Sequence, residues 1–159
     1  MNIPLPEASR RVVAAAEALG LALAVKLHEV PTRTAEEAAI ACGCDVAQIV
    51  KSLVFRGKAS GTPYLLLVSG ANRVNEKAVA AHLGEKLERP DAAFVRETTG
   101  YAIGGIPPLG HAVPLATFLD EDLLAFETVW AAAGTPNTVF GIAPRTLAQA
   151  VGARQISVR

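Results

Sequence analysis

Apolar positions along this 159-residue chain follow two spacings, one typical of helices and one typical of strands. Helical spacing with capping or stop residues predicts helices over residues 7–19, 34–43, 75–83, 91–98 and 144–151. Alternating or continuous apolar runs predict strands over residues 23–30, 49–55, 64–69, 101–103, 113–119, 128–132 and 138–142. Single helical turns are also predicted to begin at Asp45 and Asp120, since aspartate favours the N-cap position.

The order of these elements indicates the fold class. Residues 49–69 and 128–142 each contain two strands that are adjacent in sequence and joined by a turn with glycine and proline. Such hairpins, with helices inserted between them, disfavour a regular alternation of strand and helix in a parallel sheet. We therefore predict an α+β fold with a mixed, mainly antiparallel, curled and barrel-like sheet surrounded by helices, in one domain over residues 1–159.

Composition and charge exclude several classes of protein. Hydrophobic residues make up 51% of the chain, and 15 basic residues balance 15 acidic ones, so the formal net charge is zero. This argues against a protein that grips DNA through a large basic face, and leaves a small basic patch open. No apolar run approaches the ~20 residues of a membrane span. Residues 1–7 lack a charged leader with an apolar segment. We expect a cytoplasmic protein with no membrane partner.

The two cysteines, Cys42 and Cys44, are separated by one glycine. This spacing fits free thiols in a reducing compartment better than a disulfide framework. A metal site would need further ligands, and the histidines do not fall at a ligand spacing, so we expect neither a metal nor another cofactor. Both thiols are predicted to act as small apolar groups at the end of a helix.

Lys51 interrupts the apolar run over residues 49–55. If that run is a strand, both of its faces are mostly apolar, so the strand is covered on both sides. In one interpretation the lysine stem packs while the amine reaches solvent at an edge. In the other, the amine lies at the floor of a pocket and holds a substrate oxygen or phosphate as a compact charge.

Residues 104–111 have the sequence Gly-Gly-Ile-Pro-Pro-Leu-Gly-His. The glycines let a ligand approach the main chain, and the prolines fix φ and remove two backbone donors. The segment is therefore either an ordinary surface turn or a rigid loop that presents backbone groups to a small polar substrate. It lacks the glycine spacing followed by Lys-Ser/Thr that a phosphate-binding loop needs.

Three segments together, residues 34–39, 48–54 and 100–111, resemble the YbaK/ProX family, and the resemblance continues through residues 129–134 and the closing helix. Members of that family are trans-editing aminoacyl-tRNA deacylases, related to the editing domain inserted in bacterial prolyl-tRNA synthetase. The family fold is a mixed, barrel-like sheet surrounded by helices. The resemblance implies that Lys51 is the essential lysine and that Gly104 to Pro108 match the Gly-x-x-x-Pro substrate loop. Pro107 departs from the family pattern, because this position is often a serine.

From the resemblance we expect hydrolysis of the ester in a mischarged aminoacyl-tRNA, with a small amino acid such as Cys or Ala on, for example, tRNA-Pro. Lys51 is the expected catalytic residue, and water or a group on the substrate is the nucleophile. The expected substrate-binding residues are Gly104, Gly105, Ile106, Pro107, Pro108 and His111.

Basic residues that flank this site in sequence are expected to contact the tRNA acceptor end, with solvated surface charge as the alternative: Arg33, Arg56, Lys58, Arg73 and Lys77. A neutral domain binds tRNA weakly, so presentation by a synthetase such as prolyl-tRNA synthetase is an attractive arrangement. Two rival functions stay open. One is a noncatalytic module that binds aminoacyl ligands or a synthetase, and the other is a small-molecule ester hydrolase unrelated to tRNA.

Overall fold

The computed structural model describes residues 4–159 and contains five helices. They are α1 (Glu7–Ala18), α2 (Ala35–Cys42), α3 (Glu76–Leu83), α4 (Ala92–Thr99) and α5 (Pro144–Val151). All five predicted helices are present, and no end differs from its predicted position by more than one residue. Within the described residues, no helix is long and apolar enough to cross a membrane. The expectation that the chain has no leader concerns residues 1–7, of which residues 1–3 lie outside the described range.

Local capping explains where these helices begin and end. Asn75 Oδ1 accepts a hydrogen bond from the Ala78 N–H at 3.2 Å, and Asp91 Oδ1 accepts one from the Phe94 N–H at 2.8 Å. A glycine in the left-handed conformation, which glycine adopts without a Cβ penalty, ends each of α2 to α5. The two predicted single turns are the 3-10 turns Val46–Gln48 and Glu121–Ala125.

The start of α2 differs from a complete capping box. Thr34 Oγ1 accepts from the Glu37 N–H at 3.1 Å, as the sequence predicts. The Glu37 carboxylate, however, accepts from the N–H of Arg33 at 3.1 Å rather than from that of Thr34. This contact ties the main chain of Arg33 to the first turn of α2.

One mixed sheet organises the molecule. Its strands are β1 (Val25–Leu27), β2 (Ile49–Gly57), β3 (Pro63–Ser69), β4 (Leu87–Glu88), β5 (Ala116–Asp120), β6 (Val129–Ala132), β7 (Thr138–Ile142) and β8 (Arg154–Ile156). They lie in the order β1-β7-β6-β2-β3-β5-β8, with β4 paired to the far end of β2. The β2–β6, β3–β5 and β5–β8 pairs are parallel and the others antiparallel. The prediction of a mixed sheet is confirmed. A mainly antiparallel, barrel-like sheet is not, because β1 and β8 do not pair to close the described strands.

The hairpins predicted over residues 49–69 and 128–142 are confirmed as β2–β3 and β6–β7. The strand predicted over residues 101–103 is wrong, because these residues form a turn in which the Gly105 N–H donates to the Ala102 carbonyl at 3.1 Å. The sequence pattern does not predict β4 or β8, since runs of two and three residues carry no periodicity.

Apolar residues cover both faces of the sheet, as the alternation along β2 predicts. Val50 packs in a first cluster with Leu65, Leu67 and Phe140, whereas Phe55 packs in a second cluster with residues that include Leu66, Val68 and Val79. Adjacent residues of β3 therefore face opposite clusters. The strand that carries Lys51 lies between two apolar layers.

One edge of β2 is left open in the middle of the sheet. The parallel ladder with β6 covers only Ile49 and Val50, and the ladder with β4 covers only Arg56 and Gly57. Between these two ladders no described strand pairs with the edge of β2 that faces away from β3. This gap places unpaired main chain beside Lys51.

Candidate active site

A pocket of about 260 Å³ opens beside the first half of β2. Its lining residues come from the start of α2 (within 32–38), from residues 49–53 of β2, from the glycine-proline loop (within 103–106) and from the β6–β7 hairpin (within 132–139). Two cations, Arg33 and Lys51, are among the described lining residues, and no carboxylate is. The sequence-distant segments that the resemblance connects do therefore meet around one cavity.

Lys51 is partly buried at this pocket, and its amine donates a hydrogen bond to the main-chain carbonyl of Asn72. Burial lowers the pKa of Lys51, and Arg73 lowers it further, while the carboxylates of Glu36 and Asp120 act in the opposite direction. One N–H of the amine is used on a carbonyl and the others are available. Lys51 therefore lines the pocket with its amine bonded to the protein, and its role as the amine that holds a substrate stays a prediction.

Ser52, which follows Lys51, lines the same pocket and is a residue that the sequence interpretation missed. Its Oγ is buried and has no hydrogen-bond partner within the described residues. A buried hydroxyl without a partner costs about 1–3 kcal/mol, so this hydroxyl is available to a ligand or a water molecule in the pocket. A short polar residue inside an otherwise apolar strand was the available signal.

The main chain of Ser52 adds to this site. In an antiparallel pair, alternate residues direct both N–H and C=O to the same edge of the strand. The Gly57 N–H donates to the Thr62 carbonyl on the β3 side, whereas the Lys58 N–H donates outward to the Lys86 carbonyl, each at 2.8 Å. Ser52 has the same parity as Lys58, so it directs its N–H and C=O into the open gap. The pocket thus offers a hydroxyl, a backbone donor and a backbone acceptor next to the lysine.

The glycine-proline loop contributes two of the predicted substrate-binding residues to the wall, Gly104 and Ile106. Gly104 is exposed and has a φ of +100°, a conformation that side chains rarely adopt. Gly105 lies behind the wall instead. A Cβ on it would lie 2.7 Å from Thr135 Cα and 2.8 Å from Thr135 N, so this glycine allows two loops to pack and does not make room for substrate.

The other loop residues, Pro107, Pro108 and His111, are not among the pocket lining either. Both prolines are buried, and His111 Nε2 donates to the Pro107 carbonyl at 2.7 Å. Burial lowers the pKa of His111, and the bond to Pro107 partly offsets this shift. These residues support the loop from behind, where sequence order alone could not separate them from the residues that face the pocket.

The basic residues fall into two groups. Arg33 lines the pocket, and the exposed Arg73 acts on the charge of Lys51. Arg56 lies five residues further along β2, roughly 17 Å at ~3.3 Å per residue, and its Nε donates to Glu88 at 2.7 Å. Lys58 and Lys77 are exposed, and neither is among the pocket lining. Of the five predicted cations, Arg33 and Arg73 are the two that the structure connects to the candidate site.

The cysteines lie at the end of α2 as free thiols. Cys42 Sγ is 4.0 Å from His28 Nε2, and burial raises the pKa of Cys42 to about 11. Both side chains are only partly buried, so they pack less completely than predicted. Within residues 4–159, no group of three or more potential metal-ligating side chains is present.

Comparison with known proteins adds a family to this geometry. Residues 29–150 match a family model described as aminoacyl-tRNA editing domain. The chain is 32% identical over 121 residues to YwhH of Bacillus subtilis (strain 168), an uncharacterised protein, with 76% of each chain covered. It is 27% identical over 135 residues to EbsC of Enterococcus faecalis (strain ATCC 700802 / V583), a candidate Cys-tRNA(Pro)/Cys-tRNA(Cys) deacylase, covering 77% of this chain and 82% of EbsC. The crystal structure of a candidate trans-editing enzyme for prolyl tRNA synthetase matches with a TM-score of 0.93 and 46% identity, covering 98% of this chain and 99% of that one.

Proposed function

This chain belongs to the aminoacyl-tRNA editing domain family, and we propose that it hydrolyses the ester bond of mischarged aminoacyl-tRNA in trans. The matched residues 29–150 include Lys51 and the whole glycine-proline loop. The observation that carries the proposal is Lys51, which lines the pocket and whose amine donates to a single described acceptor, the main-chain carbonyl of Asn72. Residues 1–159 are proposed to act as one editing domain, since a single sheet connects both hydrophobic clusters.

The chemistry requires little beyond positioning and charge stabilisation. The oxygen of water adds to the ester carbonyl carbon and gives up a proton, and negative charge develops on the carbonyl oxygen. The bond from that carbon to the ribose oxygen then breaks, and the ribose oxygen takes up a proton to leave as a hydroxyl. A group on the substrate itself is the alternative nucleophile. We assign to Lys51 the stabilisation of the developing charge, a type of contact that contributes roughly 10²–10³-fold to kcat. Ser52 Oγ and the Gly104 main chain are assigned to hold the aminoacyl group.

The size of the pocket favours a small aminoacyl group. About 260 Å³ is below the range of roughly 300–1,000 Å³ that is typical of drug-sized ligands. Ala38, Ile106 and Val139 give the wall apolar surface, which suits Ala or Cys. The names of EbsC and of the matched crystal structure support tRNA-Pro as the carrier and prolyl-tRNA synthetase as a partner.

Contacts to the tRNA are assigned to Arg33, which lines the pocket, and to Arg73, which acts on the charge of Lys51. Arg33 is held by the tie between its main chain and Glu37, at the start of α2. Arg56 is engaged with Glu88, and Lys58 lies at the opposite end of β2, so both are assigned to the surface of the fold.

The test is a deacylation assay with purified tRNA-Pro charged with Ala, Cys, Ser or Thr, together with the cognate Pro-tRNA. Wild type is expected to remove Ala or Cys faster than the other groups and to leave Pro in place. A simple amino-acid ester, assayed in parallel, separates a tRNA-dependent enzyme from a general ester hydrolase. Failure to hydrolyse any of these tRNAs, alone or with prolyl-tRNA synthetase present, would refute the proposed function in favour of a noncatalytic binding module.

A further inference from the structure

A network of polar contacts lies behind Lys51, in the turn that follows β3. Asn72 Nδ2 donates to Asp120 Oδ2 and to Asp122 Oδ2, both at 2.8 Å. The main-chain carbonyl of the same Asn72 accepts from the Lys51 amine. One residue therefore holds the lysine through its backbone and is itself held through its side chain by two carboxylates.

Asp120 is the buried anchor of this network. Asp120 lies at the end of β5 and is only 1% exposed. Besides Asn72, the N–H groups of Ser69 and Asp122 donate to it, each at 3.0 Å. The bond from the Asp122 N–H caps the 3-10 turn Glu121–Ala125, which is a local role for this carboxylate. The bond from Asn72 gives the same carboxylate a second role, at the turn that contacts Lys51.

The turn itself has little freedom. The Asn72 N–H donates to the Ser69 carbonyl at 2.9 Å, and the Gly70 N–H donates to the Ile49 carbonyl at 2.7 Å. Gly70 is packed so closely that a Cβ on it would clash with the Val46 carbonyl oxygen. The Asn72 carbonyl is thus fixed relative to the start of β2, where Lys51 lies.

We propose that Asn72 and Asp120 are positioning residues for Lys51, which direct its free N–H donors into the pocket. The Asp120 carboxylate accepts a hydrogen bond from the Asn72 side chain, and the Asn72 main-chain carbonyl accepts one from the lysine amine. Neither residue is among the pocket lining, so neither is a catalytic residue. The kinetic part of this inference rests on the proposed deacylation, whereas the structural part does not.

The kinetic test compares Asn72→Ala with Asn75→Ala. Asn72→Ala keeps the main-chain carbonyl but removes both ties to the carboxylates, so the lysine amine loses its fixed position. We expect kcat to fall about tenfold or more with little change in KM, because a misplaced group costs rate rather than binding. Asn75→Ala removes the N-cap of α3 nearby, and should lower the melting temperature while leaving kcat at the wild-type value.

A second readout does not depend on activity. The ε-carbon of Lys51 is followed through a pH titration by NMR in protein labelled with ¹³C-lysine, and its signal is identified by its loss in Lys51→Ala. In Asn72→Ala the Lys51 midpoint should rise above its wild-type value, because the amine gains access to water. In Asp120→Asn it should fall below its wild-type value, because a nearby negative charge is lost.

The other charged groups that act on Lys51, Glu36 of α2 and Arg73 of the turn, are present in every variant. A folded Asn72→Ala protein with wild-type kcat would overturn the proposal, and so would one with an unchanged Lys51 titration. If Asp120→Asn does not fold, Asn72→Ala alone decides. If wild type deacylates no tRNA, the titration still tests the positioning, so this inference and the proposed function fail separately.

Discussion

The two ends of β2 differ in how completely their polar groups are hydrogen-bonded within the protein. At the hairpin end, near Gly57, the Glu85 carboxylate accepts four hydrogen bonds, from the N–H groups of Ala59 and Ser60 and from the hydroxyls of Ser60 and Tyr64. The shortest two, to the hydroxyls, are 2.6 Å. Every partner in this arrangement belongs to the protein.

At the pocket end the partners are incomplete. Within residues 4–159, the Ser52 hydroxyl is buried without a hydrogen bond, no strand pairs with the edge of β2 beside it, and the Lys51 amine donates to one carbonyl only. Folding normally satisfies buried polar groups, so the unsatisfied groups at the pocket end are the ones that we propose contact a ligand. We infer that pairing, rather than position along the strand, distinguishes the polar residues that act on a ligand from those that hold the fold.

The largest effect should come from the lysine at the pocket end. Lys51→Ala is expected to lower kcat/KM for a mischarged tRNA by about 10²–10³-fold, because a charge-stabilising donor is lost. Lys51→Arg should also be poor, since a planar guanidinium does not replace a compact ammonium. The matched control is Lys58→Ala at the hairpin end, which should turn over at the wild-type rate. A folded Lys51→Ala protein as active as Lys58→Ala would remove Lys51 from the mechanism.

Gly105→Ala tests the wall of the pocket. Its Cβ would meet the Thr135 main chain, so we expect a loss of about 1–3 kcal/mol in the free energy of unfolding, with a matching loss of activity as the loop shifts. Gly61→Ala, at the hairpin end, is the control. That glycine has a φ of +73° and a Cβ on it would have no other atom within 4 Å, so alanine should reduce stability through backbone strain and leave kcat/KM unchanged. Equal activity of the two variants would show that the loop does not shape the site.

Much of the fold follows from local signals in the sequence. Helices α3 and α4 begin at Asn75 and Asp91 because those side chains cap the first turn, and the two hairpins form between neighbouring strands. The parallel β2–β6 and β3–β5 pairings join segments far apart in sequence, which no local pattern encodes. The prediction of a barrel-like sheet is not confirmed for the same reason, since closure also depends on pairing between distant strands.

The candidate site, like the fold, can be predicted from the sequence only in part. Lys51 and Gly104 are accessible to sequence analysis through motif resemblance, and both line the pocket. Because Gly105 and His111 belong to the same loop, sequence analysis also predicts them as substrate-binding residues. In the structure Gly105 packs against Thr135, and His111 bonds to Pro107. Which residues of a motif face the ligand depends on tertiary contacts, so motif spacing alone could not separate them.

Replacing Ser52 should lower activity less than replacing Lys51, but it tests the difference between the two ends of β2 more directly. Ser52→Ala removes an unpartnered buried hydroxyl, so the protein should be as stable as wild type or more stable. The same change should lower kcat/KM by up to about tenfold, because one hydrogen bond to the substrate is lost. Ser60→Ala should do the reverse, lowering the melting temperature without changing kcat/KM, since its hydroxyl serves Glu85. If Ser52→Ala lowers stability and leaves activity intact, the two ends of β2 do not differ as described.

Basic residues connected to the pocket should contribute more to tRNA binding than basic residues elsewhere on the surface. Arg33→Ala and Arg73→Ala are each expected to weaken binding a few-fold and to reduce the slope of log K against log salt by about 0.7–0.9 per lost phosphate contact. Lys58→Ala and Lys77→Ala should leave that slope unchanged. The measurement is a salt series of binding titrations with one tRNA at fixed pH. Equal slopes for all four variants would place the acceptor end on another surface.

The smallest effect on activity at neutral pH should come from Glu85, which acts on stability alone and whose contribution to stability is lost in acid. Hydrogen bonds from Ser60 and Tyr64 are the main cause that lowers the pKa of Glu85 from 4.5 to about 2. Because the folded-state pKa lies below the unfolded one, the stabilisation is fully present above pH ~4.5 and is lost as the pH falls from there through about 2. Glu85→Gln should therefore melt below wild type at pH 7, and the difference between the two melting temperatures should shrink between pH 4.5 and pH 2. Kinetic constants at neutral pH should be the same for both proteins. A difference in melting temperature that stays constant across this range would show that the carboxylate charge does not hold the hairpin end.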